Sequence, residues 1–594
     1  MQTILTTALI LILAVPGLWA KKKTSVDFDA KAPGDVVSAI VIYGAPPARK
    51  NADKANNNKA SKKKDLALIN AVVYEGTKAD LEILAAEDND ILTVSLDRKV
   101  RGSLDYSNPT VGADIAQNSG WDGEGVGVAV IDSGVSRNLD LTQGFNSRIV
   151  YSESFIGGTT DDEFGHGTHV ATIVAGDGGF SNLGKVKFRG IAPKASIINL
   201  KVLDHEGAGS DSAVISAIER AVALKKKYNI RVINLSLGRP ILSSYKEDPL
   251  CLAVEKAWSN GIVVVVAAGN FGRDNSNGRE GYGTIAAPGN DPYVITVGAM
   301  KTVTTPVRGD DLIASYSSKG PTSVDHIVKP DIVAPGNRII SAMVPESYLA
   351  KSYPDNRISK DYYLYNGGSG DSSLYFKMSG TSMATPMVSG AAAVMLEKDP
   401  SLTPDTVKAR LMKSATKQFP TASVATDPVT GETFHSQYDV FTIGAGYLDV
   451  NAALNSSETL KSKDKALSPP AVYDSKSGQV LLVTSDSAMW GTTSLKGTSA
   501  IWGSSAVWGT SAVWGTSAIW GSAASWGTSA IWGSAASWGT NTTEGFSAIW
   551  GTSAIWGSAA SWGTNDTGKM SYTAAFGGPS FDPSQIHIAI NGEN

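Results

Sequence analysis

The sequence predicts a multidomain protein of the α/β class, built around a parallel sheet with helices on both faces. The chain has 594 residues, more than one ordinary core accommodates, so about two to four domains are expected. Between residues 104 and 455, short apolar runs alternate with helical segments, which is typical of a buried parallel sheet. A smaller region of strands and helix precedes this block, and a tryptophan repeat follows it.

The first 20 residues predict a cleaved secretory signal peptide. The apolar stretch Ile4–Val15 has the length of a signal h-region, and Ala20 stands at a plausible cleavage position, although three lysines follow the stretch and none precedes it. The alternative is an uncleaved anchor, but the stretch is short for a membrane span of about 20 residues. We therefore expect a secreted, extracellular or cell-surface-associated protein.

Residues 21–103 predict a small α+β domain. Apolar and β-branched runs indicate strands, a periodic run indicates a helix, and Lys-rich stretches indicate connectors. The predicted strands are Val36–Tyr43, Ala71–Tyr74 and Ile91–Leu96, the predicted helix is Lys78–Ala86, and Asn56–Lys64 is a predicted connector.

Residues 104–455 contain the strands expected for the parallel sheet. They are apolar runs of strand length, as strands buried on both faces require. They lie at Val126–Ile131, Ile197–Val202, Val232–Leu235, Ile262–Ala268 and Val294–Gly298.

Charge and cysteine content exclude several classes of protein. Lys plus Arg number 52 and Asp plus Glu number 56, a net charge of -4, so a nucleic-acid partner is not expected. The one cysteine, Cys251, excludes an intramolecular disulfide and a Cys-rich zinc site.

Three segments of the large block carry the parts of an activated serine nucleophile. Asp132 ends an apolar strand, His166 lies between glycines at the start of a helical pattern, and Ser382 lies just before an Ala-rich helix. Singly, each has an ordinary structural interpretation as a turn or cap residue. Together, carboxylate, imidazole and hydroxyl favour catalysis, because the imidazole takes the serine proton and the carboxylate orients the imidazole.

With these motifs, residues 105–455 resemble the subtilases, the subtilisin-like serine endopeptidases. The order Asp, His, Ser along the chain is that of the family. The resemblance implies a subtilisin-like fold in which Asp132 orients the base, His166 is the general base and then the acid, and Ser382 attacks the scissile carbonyl. It implies protein or peptide substrates and no cofactor for the chemistry.

The resemblance also extends to groups around the nucleophile. Ala267–Asn270 matches the oxyanion segment, so the Asn270 amide and the Ser382 backbone N–H are expected to stabilise the oxyanion. Asn234–Gly238 resembles the strand that pairs with an extended peptide. Ala286 falls at the floor of the pocket for the residue before the cleaved bond, which suggests a roomy apolar pocket; the alternative is that Ala286 merely packs. The expected substrate-binding residues are Ser236, Leu237, Gly238 and Ala286.

Other features depart from the family pattern or stay secondary to it. Asp140 resembles one ligand of a subtilase calcium site, while the loop Gly176–Gly184 does not follow the usual ligand pattern, so structural calcium is an open expectation. His169 is expected to be structural. The surplus chain before Ser382 is assigned to inserted loops near Thr302–Leu312 and Pro345–Phe376.

The α+β domain of residues 21–103 resembles the subtilase propeptide, which assists folding and then inhibits the enzyme within the same chain. Self-cleavage between residues 101 and 107 would release it. A parallel sheet has many non-local contacts and folds slowly, so a folding aid is physically reasonable. The alternative is an ordinary N-terminal domain that stays attached.

After a linker at 456–485, residues 486–564 form a Trp-Gly hexapeptide repeat, followed by a tail at 565–594. Eleven of the 14 tryptophans occupy 11 of 13 positions spaced by six, Lys496 and Glu544 occupy the other two, and each of the 13 positions is followed by Gly. An even period places all the rings on one face of an extended chain, which favours repetitive β-structure such as a β-solenoid; the alternative is a disordered chain. Such a repeat is suited to binding a cell surface or polymer.

The sequence therefore predicts a secreted, self-processed serine endopeptidase of broad specificity, with a preference for apolar residues before the cleaved bond. Two alternatives remain. One is a surface adhesion or structural protein whose protease domain serves its own maturation. The other is a narrow processing protease.

Overall fold

The computed structural model describes most of the chain outside its start and the hexapeptide repeat. The described residues are 23–24, 26–29, 31–66, 70–96, 103–144, 146–181, 184–274, 281–365, 370–420, 422–427, 429–461, 464–474, 479–482, 545–546, 557–558 and 583–593. The predicted signal peptide and nearly all the hexads lie outside these residues. The chain divides into two compact units, Met1–Val100 and Arg101–Asn594.

The first unit is an antiparallel sheet with three helices packed on it. Its strands, in the spatial order β2-β3-β1-β4, are β1 Val36–Tyr43, β2 Ser61–Leu66, β3 Ala71–Thr77 and β4 Ile91–Leu96. Its helices are α1 Val26–Asp29, α2 Arg49–Asn57 and α3 Lys78–Glu87. The predicted strands and helix are all present.

The prediction of a connector at Asn56–Lys64 is wrong, because its second half begins the edge strand β2. The lysines of this strand lie on the exposed side, where Lys62 pairs with Asp65 at 2.7 Å and Lys63 pairs with Glu75 of β3 at 2.9 Å. Lysine-rich edge strands are common because charge discourages further strand pairing. A high lysine content therefore did not indicate a connector here.

The second unit contains the large sheet and several small ones. The strands of the whole unit are β5 Gly127–Asp132, β6 Thr142–Gln143, β7 Asn146–Ser147, β8 Ile149–Ser154, β9 Ser196–Lys201, β10 Ile230–Leu235, β11 Val263–Ala267, β12 Ile295–Lys301, β13 Leu312–Ile313, β14 Ile332–Pro335, β15 Ile339–Ala342, β16 Arg357–Ser359, β17 Asp371–Met378, β18 Ala422–Thr426, β19 Thr433–Gln437, β20 Ala471–Asp474, β21 Gln479–Leu482, β22 Gly545–Phe546 and β23 Gly557–Ser558.

The helices of the second unit follow the same numbering. They are α4 Ser103–Val111, α5 Ala113–Asn118, α6 His166–Ala175, α7 Asp211–Tyr228, α8 Pro249–Ser259, α9 Tyr348–Ser352, α10 Lys360–Tyr363, α11 Thr381–Lys398, α12 Pro404–Ser414, α13 Val440–Ile443, α14 Val450–Leu454 and α15 Pro583–Asn591.

The large sheet confirms the α/β prediction. Its strand order is β13-β12-β11-β10-β5-β9-β8, with β14 also paired to β12, and the strands are parallel except that β13 runs antiparallel to β12. Strands β5, β11 and β12 are buried at every residue, which explains their unbroken apolar runs. Helices α6, α7 and α11 pack against β5, the strand that carries the first site residue, and α8 packs on α7 and β11.

The region predicted as an inserted loop at Pro345–Phe376 is instead a small folded layer. Strands β15, β17 and β16 form an antiparallel sheet, and α9 and α10 lie within the insertion. Tyr363 and Tyr375 meet edge to face at 5.2 Å between ring centroids, and both contact Phe188. Tyr363 and Tyr375 are therefore core residues of this layer.

The described part of the predicted linker packs on the second unit. The Ser468 hydroxyl donates to Asp331, and Lys408 donates to Ser468 at 2.9 Å within the same buried cluster. Ala466 and Ala471 are buried, so these residues belong to the folded unit. Within the described ranges, the structure has no helix that is both long enough and apolar enough to span a membrane.

Candidate active site

Asp132 is the last residue of β5 and is completely buried at the carboxyl edge of the sheet. Its Oδ1 accepts a hydrogen bond from the Ser133 backbone N–H at 2.7 Å and lies 2.8 Å from His166 Nδ1. The central position of β5 fixes this carboxylate. The structure thus brings together the aspartate and histidine that the sequence singled out.

His166 is the first residue of α6, after Gly165 in a left-handed conformation with φ +103°. Burial acts to lower the pKa of His166, but the charge of Asp132 and its hydrogen bond outweigh burial and raise the pKa above its usual value. A neutral ring whose Nδ1–H donates to Asp132 presents Nε2 as a proton acceptor. This geometry suits a general base.

Asp162 holds the start of α6, and the sequence analysis missed it. Its Oδ1 accepts from the Gly165 backbone N–H at 2.7 Å and from the Ser133 hydroxyl at 2.8 Å, and its Oδ2 accepts from the Thr168 N–H at 2.7 Å. Burial raises the pKa of this carboxyl, although all three hydrogen bonds oppose the change. An acidic residue shortly before the Gly-His-Gly motif was the available signal, but such residues are ordinary helix caps.

Gly167 lets α6 approach the end of β5. A Cβ at this position would lie 2.2 Å from the Gly134 carbonyl oxygen, a distance that no side chain tolerates. One turn of the helix is thereby seated against the strand that carries Asp132. His169 has the structural position expected of it: its Nε2 lies 3.1 Å from the Phe376 carbonyl oxygen, and burial lowers its pKa to about 3.

Ser382 lies in the first turn of α11, and α11 packs directly against α6. The helices that begin at His166 and beside Ser382 are therefore neighbours. The Ser382 hydroxyl donates to the Ser236 carbonyl oxygen at 3.2 Å, and the Ser236 hydroxyl donates to the Ser382 carbonyl oxygen at 2.8 Å. Ser382 is 8% exposed, so the residue is mostly buried but retains some accessible surface.

Asn270 is tied to the turn before the nucleophile. Its Oδ1 accepts from the Thr381 backbone N–H at 2.8 Å and from the Thr381 hydroxyl at 3.0 Å. A Cβ at Gly380 would lie 3.2 Å from Asn270 Nδ2, so the amide nitrogen faces the same turn. In this orientation Nδ2 is the end that can donate to an oxyanion formed beside Ser382.

The expected substrate residues lie next to one another. A Cβ at Gly238 would be 3.0 Å from Ala286 Cβ, and a Cβ at Gly269 would be 3.3 Å from it. Arg239 and Ala287 exchange backbone hydrogen bonds at 3.0 and 2.7 Å, which holds the two segments side by side. Small residues therefore line this surface beside Asn270. Leu237, between Ser236 and Gly238, is partly buried against the core.

Asp140, the residue that resembles a calcium ligand in sequence, has both carboxylate oxygens hydrogen-bonded within the protein. Its Oδ1 accepts from the Phe180 backbone N–H at 2.9 Å and its Oδ2 accepts from the Tyr375 hydroxyl at 2.8 Å. Burial raises its pKa to about 6. Within the part of the chain that the structure describes, no three His, Cys, Asp or Glu side chains are grouped closely enough to hold a metal ion.

Comparisons with known proteins agree with this geometry. A family model described as the Subtilase family matches residues 123–437. The chain is 40% identical over 364 residues to the serine protease AprX of Bacillus subtilis (strain 168), which covers 59% of this chain and 75% of that protein. It is 35% identical over 318 residues to subtilisin DY of Bacillus licheniformis, and the match covers 53% of this chain and 92% of that protein. It is 36% identical over 315 residues to subtilisin E of Bacillus subtilis (strain 168), and the match covers 53% of this chain and 66% of that protein.

Proposed function

The chain belongs to the subtilase family of serine endopeptidases, and we propose that it hydrolyses peptide bonds with Ser382 as its nucleophile. The observation that carries the proposal is the 2.8 Å contact between His166 Nδ1 and Asp132 Oδ1, on a helix packed against the helix of Ser382. His166 is thus held by Asp132 on a helix that neighbours the helix of Ser382, which supports its role as the base.

In the acylation half of the reaction, His166 Nε2 takes the hydroxyl proton as Ser382 Oγ attacks the scissile carbonyl carbon. The carbonyl oxygen becomes an oxyanion that accepts from Asn270 Nδ2 and the Ser382 N–H. The His166 imidazolium, stabilised by Asp132, then donates its proton to the leaving amine. The C–N bond breaks and an acyl ester on Ser382 remains.

In the deacylation half, His166 takes a proton from water as the water oxygen attacks the ester. The same donors hold the second oxyanion. The bond to Ser382 Oγ breaks, the serine regains its proton from His166, and the carboxylic acid product leaves. Each step uses groups of this chain and water. As one oxyanion donor, Asn270 is expected to accelerate the reaction about 10²–10³-fold.

The small residues Gly238, Gly269 and Ala286 support a preference for apolar residues before the cleaved bond. An extended substrate would pair with the backbone of Ser236–Gly238, and main-chain hydrogen bonding tolerates many side chains. This supports broad specificity, with the pocket beside Ala286 setting the preference.

Residues 21–103 are proposed to be a propeptide that inhibits the enzyme within the chain and is removed by self-cleavage. The compact first unit ends at Val100, just before the expected cleavage region at 101–107, which supports this proposal. The apolar stretch Ile4–Val15 supports secretion. The hexads are proposed to bind a cell surface or polymer.

The test is to express the full chain beside Ser382→Ala and to measure fragment masses and N-termini by mass spectrometry. Loss of about 100 residues from the wild type alone is expected if Ser382 performs the cleavage. Identical cleavage of both chains would mean that another protease matures the protein. Cleavage of neither chain, in a folded protein that also fails to hydrolyse casein, would contradict the proposed function.

A further inference from the structure

Residues 583–593, here called the return segment, pack on the second unit although the whole hexad repeat precedes them in sequence. Helix α15 forms most of the segment. Ile588, Ala589 and Ile590 are 5–7% exposed and belong to the main core cluster. The predicted tail at 565–594 therefore ends in a part of the folded unit.

The backbone of the return segment is bonded beside the nucleophile turn. The Ser379 N–H donates to the Ala589 carbonyl oxygen at 2.8 Å, and Ser379 is three residues before Ser382. Gly592 has φ +59°, and a Cβ there would lie 2.4 Å from Ser379 Oγ. The side-chain amide of Asn337 accepts from the Glu593 N–H at 3.0 Å and donates to the Glu593 carbonyl oxygen at 2.8 Å. The contact thus requires a glycine at 592, and both backbone polar groups of Glu593 have a hydrogen-bond partner.

Glu593 is completely buried and its carboxylate is fully engaged. Arg273 donates to Oε2 at 3.1 Å, the Ser315 backbone N–H and hydroxyl also donate to it, and Lys301 Nζ lies 3.8 Å from Oε1. A buried carboxylate is stable only when it is paired and hydrogen-bonded in this way. Removing it would leave the partly buried Arg273 with one carboxylate partner fewer.

Arg273 connects this carboxylate to the oxyanion segment. It lies three residues after Asn270, its Nε donates to Ser315 Oγ at 2.8 Å, and its Nη1 contacts Asp427. His587 of the return segment lies 3.3 Å from the same Asp427 carboxylate. The return segment therefore contacts two parts of the site. Through Arg273 it contacts the loop that carries Asn270, and through Ser379 it contacts the turn that carries Ser382.

We propose that Glu593 is a positioning residue of the active site that acts through Arg273 on the loop carrying Asn270, while the backbone of Ala589 in the same segment is bonded to Ser379 of the nucleophile turn. The proposal rests on the catalytic roles assigned above to Asn270 and Ser382. The described segments on both sides of the repeat belong to the second unit, because Ser468 and Ala471, which precede the repeat, are also buried there.

The experiment compares full-length wild type with Glu593→Ala, Glu593→Gln and the control Asn591→Ala, whose side chain contacts His587 on the same helix. Active sites are titrated first, and kcat, KM and the affinity of a peptide boronic acid, which mimics the oxyanion intermediate, are then measured per active site. Glu593→Ala should lose about tenfold in kcat and in boronate affinity with KM within about twofold, since loss of a whole oxyanion donor costs about 10²–10³. Glu593→Gln should retain more activity, and Asn591→Ala should match wild type.

A merely structural role would lower the melting temperature and the titrated fraction while kcat and boronate affinity per active site stay at the wild-type values, and this result would overturn the proposal. An inactive wild type would instead count against the proposed function. If the Glu593 variants do not fold, a site-specific protease site is inserted within residues 510–530 of the otherwise wild-type chain, which is cut there after purification. Co-elution of the C-terminal fragment, which contains residues 583–593, with kcat retained, or its release with kcat lost, supports the proposal; release with kcat retained overturns it.

Discussion

The base side of the active site, Asp132 with His166, is held by residues near it in sequence, whereas the nucleophile side, Asn270 with Ser382, is held by distant ones. Asp162 bonds Gly165, three residues away, and Thr168, six residues away. On the nucleophile side, Asn270 and Thr381 are 111 residues apart, and Arg273 and Glu593 are 320 apart. Closing long segments costs more chain entropy, so the nucleophile side depends more on the completed fold.

The largest effect is expected from Ser382→Ala, which removes the nucleophile and leaves the base side intact. Activity on a peptide substrate should fall by at least about 10⁴-fold. The contact between His166 and Asp132 does not involve Ser382, so the pKa of His166 should remain above its usual value. Stopped assays for activity and NMR titration of the His166 ring measure the two sides separately. The expected loss is about 10⁴-fold, so a residual activity above about 1% of wild type would contradict the assignment.

Asn270→Ala tests the oxyanion donor without touching the nucleophile or the base. We expect kcat to fall about 10²–10³-fold with little change in KM, because the donor bonds the intermediate rather than the substrate. Steady-state kinetics at saturating and limiting substrate separate the two constants. A change confined to KM would assign Asn270 to substrate binding. Asn591→Ala serves as the matched control for removal of an amide.

Ala286→Leu should narrow the pocket that Gly238 and Gly269 leave open. We expect kcat/KM for substrates with a large apolar residue before the cleaved bond to fall about 10–200-fold relative to alanine at that position. A library of matched peptides measures this ratio. An unchanged ratio would mean that Ala286 packs without contacting substrate.

The smallest effect on rate at the optimum is expected from Asp162→Asn, which changes the base side alone. The charge of Asp162 contributes to raising the pKa of His166, so the amide should lower that pKa. Because His166 must be neutral to accept the serine proton, the acid limb of the pH–rate profile should move to lower pH. One or more of the buried hydrogen bonds is also weakened, at about 1–3 kcal/mol of unfolding free energy. A limb that stays in place would remove Asp162 from the electrostatics of the base.

The catalytic groups and the central strands were predictable from sequence because each has a local signature. A strand buried on both faces is an apolar run, and Asp132, His166 and Ser382 each stand in a short motif with glycines or small residues around it. Asn270, three residues after the buried strand β11, was expected from the resemblance of Ala267–Asn270 to the family's oxyanion segment. These features depend on residues that are adjacent in the chain, so they can be recognised from the sequence alone.

The supporting residues were not predictable, since their role depends on partners far along the chain. Glu593 is an ordinary acidic residue until it is paired with Arg273, and the lysines of β2 indicate a connector until their strand pairs with β3. Tyr363 and Tyr375 similarly suggested a loop, and only their packing on Phe188 makes them core. Asp140 resembled a calcium ligand by position, while Tyr375 and Phe180 occupy its oxygens.

The measurement that tests the account most directly is the site of covalent labelling by a fluorophosphonate, mapped by peptide mass spectrometry on the full chain. The account predicts one phosphonylated residue, Ser382, with labelling abolished in Ser382→Ala and strongly slowed in His166→Ala. A label on another serine of the folded wild type, or equal labelling of the His166→Ala variant, would contradict it.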